Sequence, residues 1–119
     1  RIRGEFLRAV PNIDQGFDLD VNGGIQLANG TCAPLLRTWY LQQFTPVVEY
    51  PYSASDGNIW VWNVYKCPGP FGQLIEEKWT GNAGFWIEHL GTADRIYHCS
   101  YKLANPPDFE SLVFRITVK

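Results

Sequence analysis

The residues whose types and spacing come closest to a chemical function lie in GFDLDVNGGIQLANGTC, Gly16 to Cys32. Asp18, Asp20, Asn22, Gly23 and the apolar Ile25 match the first eight positions of a calcium-binding EF-hand loop, in which alternate oxygens converge on one cation. The twelfth position of such a loop needs a bidentate Glu, and here it is Asn29. Neither flank carries the helical apolar stripe that would hold the loop between two helices. Strand parity accounts for the same residues differently. A three-residue loop Asn22-Gly23-Gly24 sets Val21 against Ile25, Leu19 against Leu27 and Asp20 against Gln26, and a glycine at its end suits the left-handed backbone such a loop demands. The segment therefore predicts a β-hairpin over residues 17–29, with Asp18 and Asp20 as solvent-facing residues and no metal site.

The remaining reactive side chains do not assemble into a catalytic set. His89 and His98 fall on adjacent expected strands, and His98 shares a face with Ser100, which suggests a metal pair or a Ser/His couple with no third member. Glu76 and Glu77 are consecutive, so on a strand they point to opposite faces and cannot act as a paired acid and base. Cys67 and Cys99 lack an activating motif, and no glycine-rich phosphate cradle is present. The sequence points to a non-catalytic protein without a cofactor.

The elements that must position these residues follow from composition and periodicity. With 119 residues there is room for one domain, 1–119, and an apolar fraction of 45% against 18% charged is that of a folded chain with an ordinary core. The 10 basic residues are scattered and the net charge is −2, so an electrostatic footprint for nucleic acid is missing. No run approaches the roughly 20 apolar residues of a membrane-spanning helix. The chain contains no Met and reads as a processed form whose leader is gone, with the opening RIRGEF read as partly vector-derived and given no weight. The sequon Asn29-Gly30-Thr31 next to Cys32 points to glycosylation at Asn29 and to a secreted protein.

The period is two almost throughout. In SLVFRITVK, Leu112, Phe114, Ile116 and Val118 share one face. In DRIYHCSYKL, Tyr97, Cys99, Tyr101 and Leu103 share one. NIWVWNVYKC is β-branched and aromatic throughout, and SDG before it signals a tight turn from VVEYPYS. LLRTWYLQQFT, GQLIEEKWT and GFWIEHL are further strands, separated by stretches rich in Gly, Pro or Asn. These make an all-β domain, a single antiparallel barrel or sandwich of about 8–10 short strands.

Aromatic residues make up 15% of the chain, and one strand concentrates them. Trp60, Trp62 and Val64 occupy one face and Ile59, Val61, Asn63 and Tyr65 the other, so neither face is built for water. Such a strand is covered on one side by the opposing sheet and on the other by a partner or a bound apolar ligand, or it packs in the core.

Four segments in order resemble the lipocalins. CAPLLRTWYLQ resembles the start of the lipocalin barrel in its Trp39 and Tyr40, with Arg37 where that family has glycine. SASDGNIWVWNVY is similar to the strand pair with a turn glycine followed by alternating apolar residues and an asparagine, here Gly57 through Asn63. FWIEHLGTADRIYHCSY resembles the Thr-Asp-Tyr region leading to a cysteine-bearing strand, through Thr92, Asp94, Tyr97 and Cys99. Arg115 stands where an arginine would cross the first-strand tryptophan. The match spans residues 32–119 and leaves 1–31 as an N-terminal extension carrying the hairpin.

The resemblance implies a lipocalin-like barrel that holds a small hydrophobic ligand, with Trp39, Trp60, Trp62, Tyr65 and Trp86 as ligand-binding residues and a disulfide between Cys32 and Cys99. The alternative is a secreted interaction module, of effector, venom or adhesion type, that contacts a protein or carbohydrate through exposed aromatics. A carrier hides its aromatics in a hollow barrel, whereas an interaction module displays a contiguous aromatic patch outside a filled sandwich.

Overall fold

A computed structural model describes residues 1–11, 13–43, 45–77, 84–101 and 106–119. Nine strands are present among these residues: β1 (Ile2–Ala9), β2 (Gln15–Gln26), β3 (Cys32–Trp39), β4 (Val47–Tyr50), β5 (Tyr52–Pro68), β6 (Leu74–Glu77), β7 (Phe85–Gly91), β8 (Asp94–Cys99) and β9 (Leu112–Val118). A 3-10 turn, Tyr40–Gln42, follows β3. The strands form two antiparallel sheets, one ordered β4-β1-β9-β8-β7 and the other β3-β2-β5-β6, with one of them curled into a half-barrel. The expected all-β architecture is present. Among the described residues no ladder joins the two sheets, so this is a two-layer packing.

The alternating residues of both sheets meet in one core. Ile2 and Phe6 of β1, Phe17, Leu19, Val21 and Ile25 of β2, Tyr97 and Cys99 of β8, and Leu112, Phe114 and Ile116 of β9 are buried together. The centre is a run of rings. Phe6 lies 5.1 Å from Phe17, Phe17 stacks on Phe114 at 4.8 Å, and Phe114 stacks on Tyr97 at 4.9 Å, so the aromatic content ties the layers together from inside. Tyr65 packs edge-on to Tyr101 at 5.6 Å in a smaller buried cluster with Cys67.

Several expectations are corrected. Residues 17–29 are not a hairpin: β2 runs unbroken through Asn22-Gly23-Gly24, and the turn comes at Leu27–Thr31, where Gly30 takes φ +86° and the Gly30 amide donates to the Leu27 carbonyl at 3.0 Å. The Gly-Gly pair is an irregularity in the ladders of β2, not a reversal. A Cβ on Gly23 would sit 2.1 Å from the Ser53 carbonyl oxygen, so the glycine admits a neighbouring backbone and marks close approach. SDG is likewise no hairpin turn. β5 pairs Ala54 with Gly23 and Ile59 with Val21, and the intervening residues bulge out around Gly57 at φ +74° before the strand resumes in the same direction.

Residues 1–31 are no extension. β1 lies between β4 and β9 and β2 between β3 and β5, and Ile2 is fully buried, so this part of the chain supplies central strands to both sheets. No Cys32–Cys99 disulfide forms. Cys32 is exposed at the start of β3, and Cys99 is buried in the other sheet, where loss of solvent pushes its thiol pKa far above the ordinary range.

Candidate binding face

The outer face of the four-stranded sheet is laid out by the register of β3, β2, β5 and β6. One row reads Leu35, Asp20, Trp60, and the next Arg37, Asp18, Trp62. A third reads Trp39, Gly16, Val64, and beyond it Lys66 stands against Glu76 and Pro68 against Leu74. Alternation along each strand puts these side chains outward, because Phe17, Leu19, Val61 and Tyr65 take the inner positions.

The middle row is a closed polar network. Arg37 donates from Nε to Asp18 Oδ1 at 2.7 Å and from Nη2 to Asp18 Oδ2 at 2.8 Å, a bidentate fork. The Trp62 indole N–H donates to the same Oδ2 at 2.7 Å. Asp18 is 0% exposed, so the expectation of a solvent-facing carboxylate is corrected: its charge is met by two partners 19 and 44 residues away in sequence. The hydrogen bonds to Asp18 raise the pKa of Arg37, with burial opposing and the Glu76 carboxylate, 3.7 Å away, adding to the rise. Both Asp18 oxygens are engaged by Arg37 and Trp62, and the segment runs as the extended strand β2, so Asp18 here is a network acceptor within a sheet.

The five sequence-predicted ligand residues are not brought together. Trp60 is 60% exposed, while Trp62 beside it is half-buried with its nitrogen pinned by Asp18. Trp39 is on the same face but buried, with the Lys66 ammonium 4.8 Å from its ring centre and Lys66 anchored to Asp14 at 3.0 Å. The cation over Trp39 is therefore Lys66. Arg115 is instead paired with Asp94, at 2.8 Å and 2.6 Å. Tyr65 faces inward. Trp86 is on the outer face of the other sheet, stacked parallel on His98 at 4.0 Å, with His98 Nε2 3.1 Å from Glu88 Oε1.

The other reactive residues separate. His89 is registered against Arg95 and His98 against Trp86, which puts the two histidines on opposite faces of one ladder. Glu76 reaches Arg37 on the outer face, while Glu77 is registered against Tyr65 and lies 3.6 Å from the Cys67 thiol. Among the described residues no group of three or more His, Cys, Asp or Glu side chains is close enough to hold a metal ion. Asn29 is exposed in the β2–β3 turn, with its Oδ1 accepting from the Thr31 amide at 3.0 Å and the Thr31 hydroxyl at 2.6 Å. A cleft of about 290 Å³ opens between the sheets on the inner side, and none of the five predicted aromatics lines it.

The polar network was missed from sequence although each residue was singled out. The signal was the chance to register Asp18 between Arg37 and Trp62, and it could be used only once β2 was known to be one strand flanked by β3 and β5. Comparison with protein-family models, with curated proteins and with solved structures returns no match for this chain.

Proposed function

We propose that this chain is a non-catalytic binding module whose contact surface is the outer face of the four-stranded sheet and whose partner is another protein. The observation that carries the reading is the Asp18 network: a buried carboxylate holds Trp62 and Arg37 in fixed positions beside Trp60, which is left 60% exposed. Tryptophan and arginine are the residues most enriched among those that dominate protein interfaces, and side chains locked before binding lose little freedom on complex formation. Leu35 at 44% and Leu74 at 68% exposure on the same face favour a protein over a carbohydrate, because an aliphatic side chain gains from an apolar counterpart and nothing from hydroxyls. The exposed sequon at Asn29 supports a secreted setting.

Affinity capture from extracellular fluid of the source organism tests this, with the wild-type chain, Trp60→Ala and Trp86→Ala as baits. Proteins held by the wild type and by Trp86→Ala, and lost with Trp60→Ala, support the reading. Identical captures with all three baits contradict it.

A further inference from the structure

The inner side of the molecule carries a second feature that the outer face does not use. The cleft of about 290 Å³ lies between β5 and the β8–β9 pair, beside the residues around Gly57 where the ladder between β2 and β5 is interrupted. Its lining combines the buried or half-buried Ile59, Val61, Tyr97 and Ile116 with the exposed Thr92 and Arg95 at its mouth and polar groups such as Asn58. The volume lies just below the ~300 Å³ at which the range for ligand pockets begins, so only a small ligand fits.

Charge selects the occupant. Arg1, Arg3, Arg8, Arg37 and Arg115 each have a carboxylate within 4.0 Å, whereas Arg95 has none among the described residues. The arginine left without a carboxylate is the one at the cleft mouth, next to the Tyr97 hydroxyl, and a guanidinium fork is shaped to receive two anionic oxygens at once. We propose that the cleft binds a small amphipathic carboxylate, its head on Arg95 and its unbranched apolar tail between Ile59 and Val61 on one side and Ile116 on the other. The proposal is independent of the partner face, since no residue of the Leu35, Arg37, Trp60, Trp62 surface lines the cleft.

Calorimetric titration of the full chain with octanoate, decanoate and decan-1-ol tests it. Decanoate is expected to bind at one site and more tightly than octanoate, with up to about a fourfold gain per added methylene. Arg95→Gln is expected to weaken decanoate roughly tenfold or more while leaving decan-1-ol unchanged. Thr92→Trp, which places a large ring at the mouth, is expected to weaken both ligands, and Trp86→Ala, outside both the cleft and the partner face, to weaken neither. Both cleft variants replace exposed residues, so the fold is expected to survive, and circular dichroism melting checks it. Equal affinity for decanoate and decan-1-ol, insensitivity to Arg95→Gln or to Thr92→Trp, loss of binding in Trp86→Ala, or no saturable binding in the millimolar range would each overturn the proposal.

Discussion

Asp18 and Trp62 lie directly opposite each other on β2 and β5, and the indole N–H of Trp62 donates to a carboxylate oxygen of Asp18 that has no contact with solvent. This pair fixes the outer sheet face, because the same carboxylate also holds Arg37. Asparagine at position 18 keeps one carbonyl acceptor but puts an NH2 donor where the second oxygen receives N–H groups, and it removes the charge that Arg37 pairs with. Asp18→Asn should therefore lower stability by roughly 2–3 kcal/mol, below the range for a wholly buried pair because the Arg37 end of the network reaches water. Urea unfolding checks it, with a lower midpoint and an unchanged slope expected.

The two tryptophans of β5 should separate stability from exposure. Trp60→Ala is expected to change stability by less than about 0.5 kcal/mol, because the residue is 60% exposed on the sheet surface. Trp62→Ala should cost roughly 2 kcal/mol, about half the loss for a fully buried ring, since it also removes a partner from Asp18. Thermal unfolding of the two variants side by side makes the comparison.

The three thiols should differ in reactivity. Cys32 is exposed and should be labelled by a maleimide in the native protein, whereas Cys67 and Cys99 should react only after unfolding, Cys99 being both buried and starved of thiolate. Mass spectrometry of labelled peptides reads this, and a Cys32–Cys99 bridge in the peptide map would contradict the structure.

The Asp94–Arg115 pair gives stability a definite pH dependence. Hydrogen bonds from the Arg115 guanidinium hold the Asp94 carboxyl below its ordinary value of 3.8, with Thr117 contributing in the same direction. A carboxylate with a depressed folded-state pKa adds stability above its unfolded value and loses it as pH falls through the folded one. The difference in melting temperature between wild type and Asp94→Asn should therefore be constant at neutral pH and shrink as pH falls below 3.8.

How far this arrangement was legible in the sequence depends on whether local or distant residues decided each feature. Strands β7, β8 and β9 were readable because their inward residues, such as Leu112, Phe114 and Ile116, repeat at every second position. β1 is harder to read, because Ile2, Gly4 and Phe6 alternate with Arg3 and Glu5 in a stretch, RIRGEF, that also fits vector-derived sequence. Gly23 was misread for a physical reason. A glycine that permits a turn and one that lets another backbone approach look alike until the partner strand is known, and here that strand is 30 residues downstream at Ser53. Asp18 was misread in the same way, since an acid on a strand is ordinarily solvated and nothing local announces that Arg37 and Trp62 will enclose it.

The claim that the Trp60 face is the contact surface is tested most directly by the affinity of a captured partner for three forms of the chain, measured by surface plasmon resonance. Trp60→Ala should lose about 30-fold or more in affinity, the loss of 2 kcal/mol that defines a dominant interface residue, with Trp86→Ala equal to wild type. Undiminished affinity in Trp60→Ala, or an equal loss in Trp86→Ala, would contradict the account.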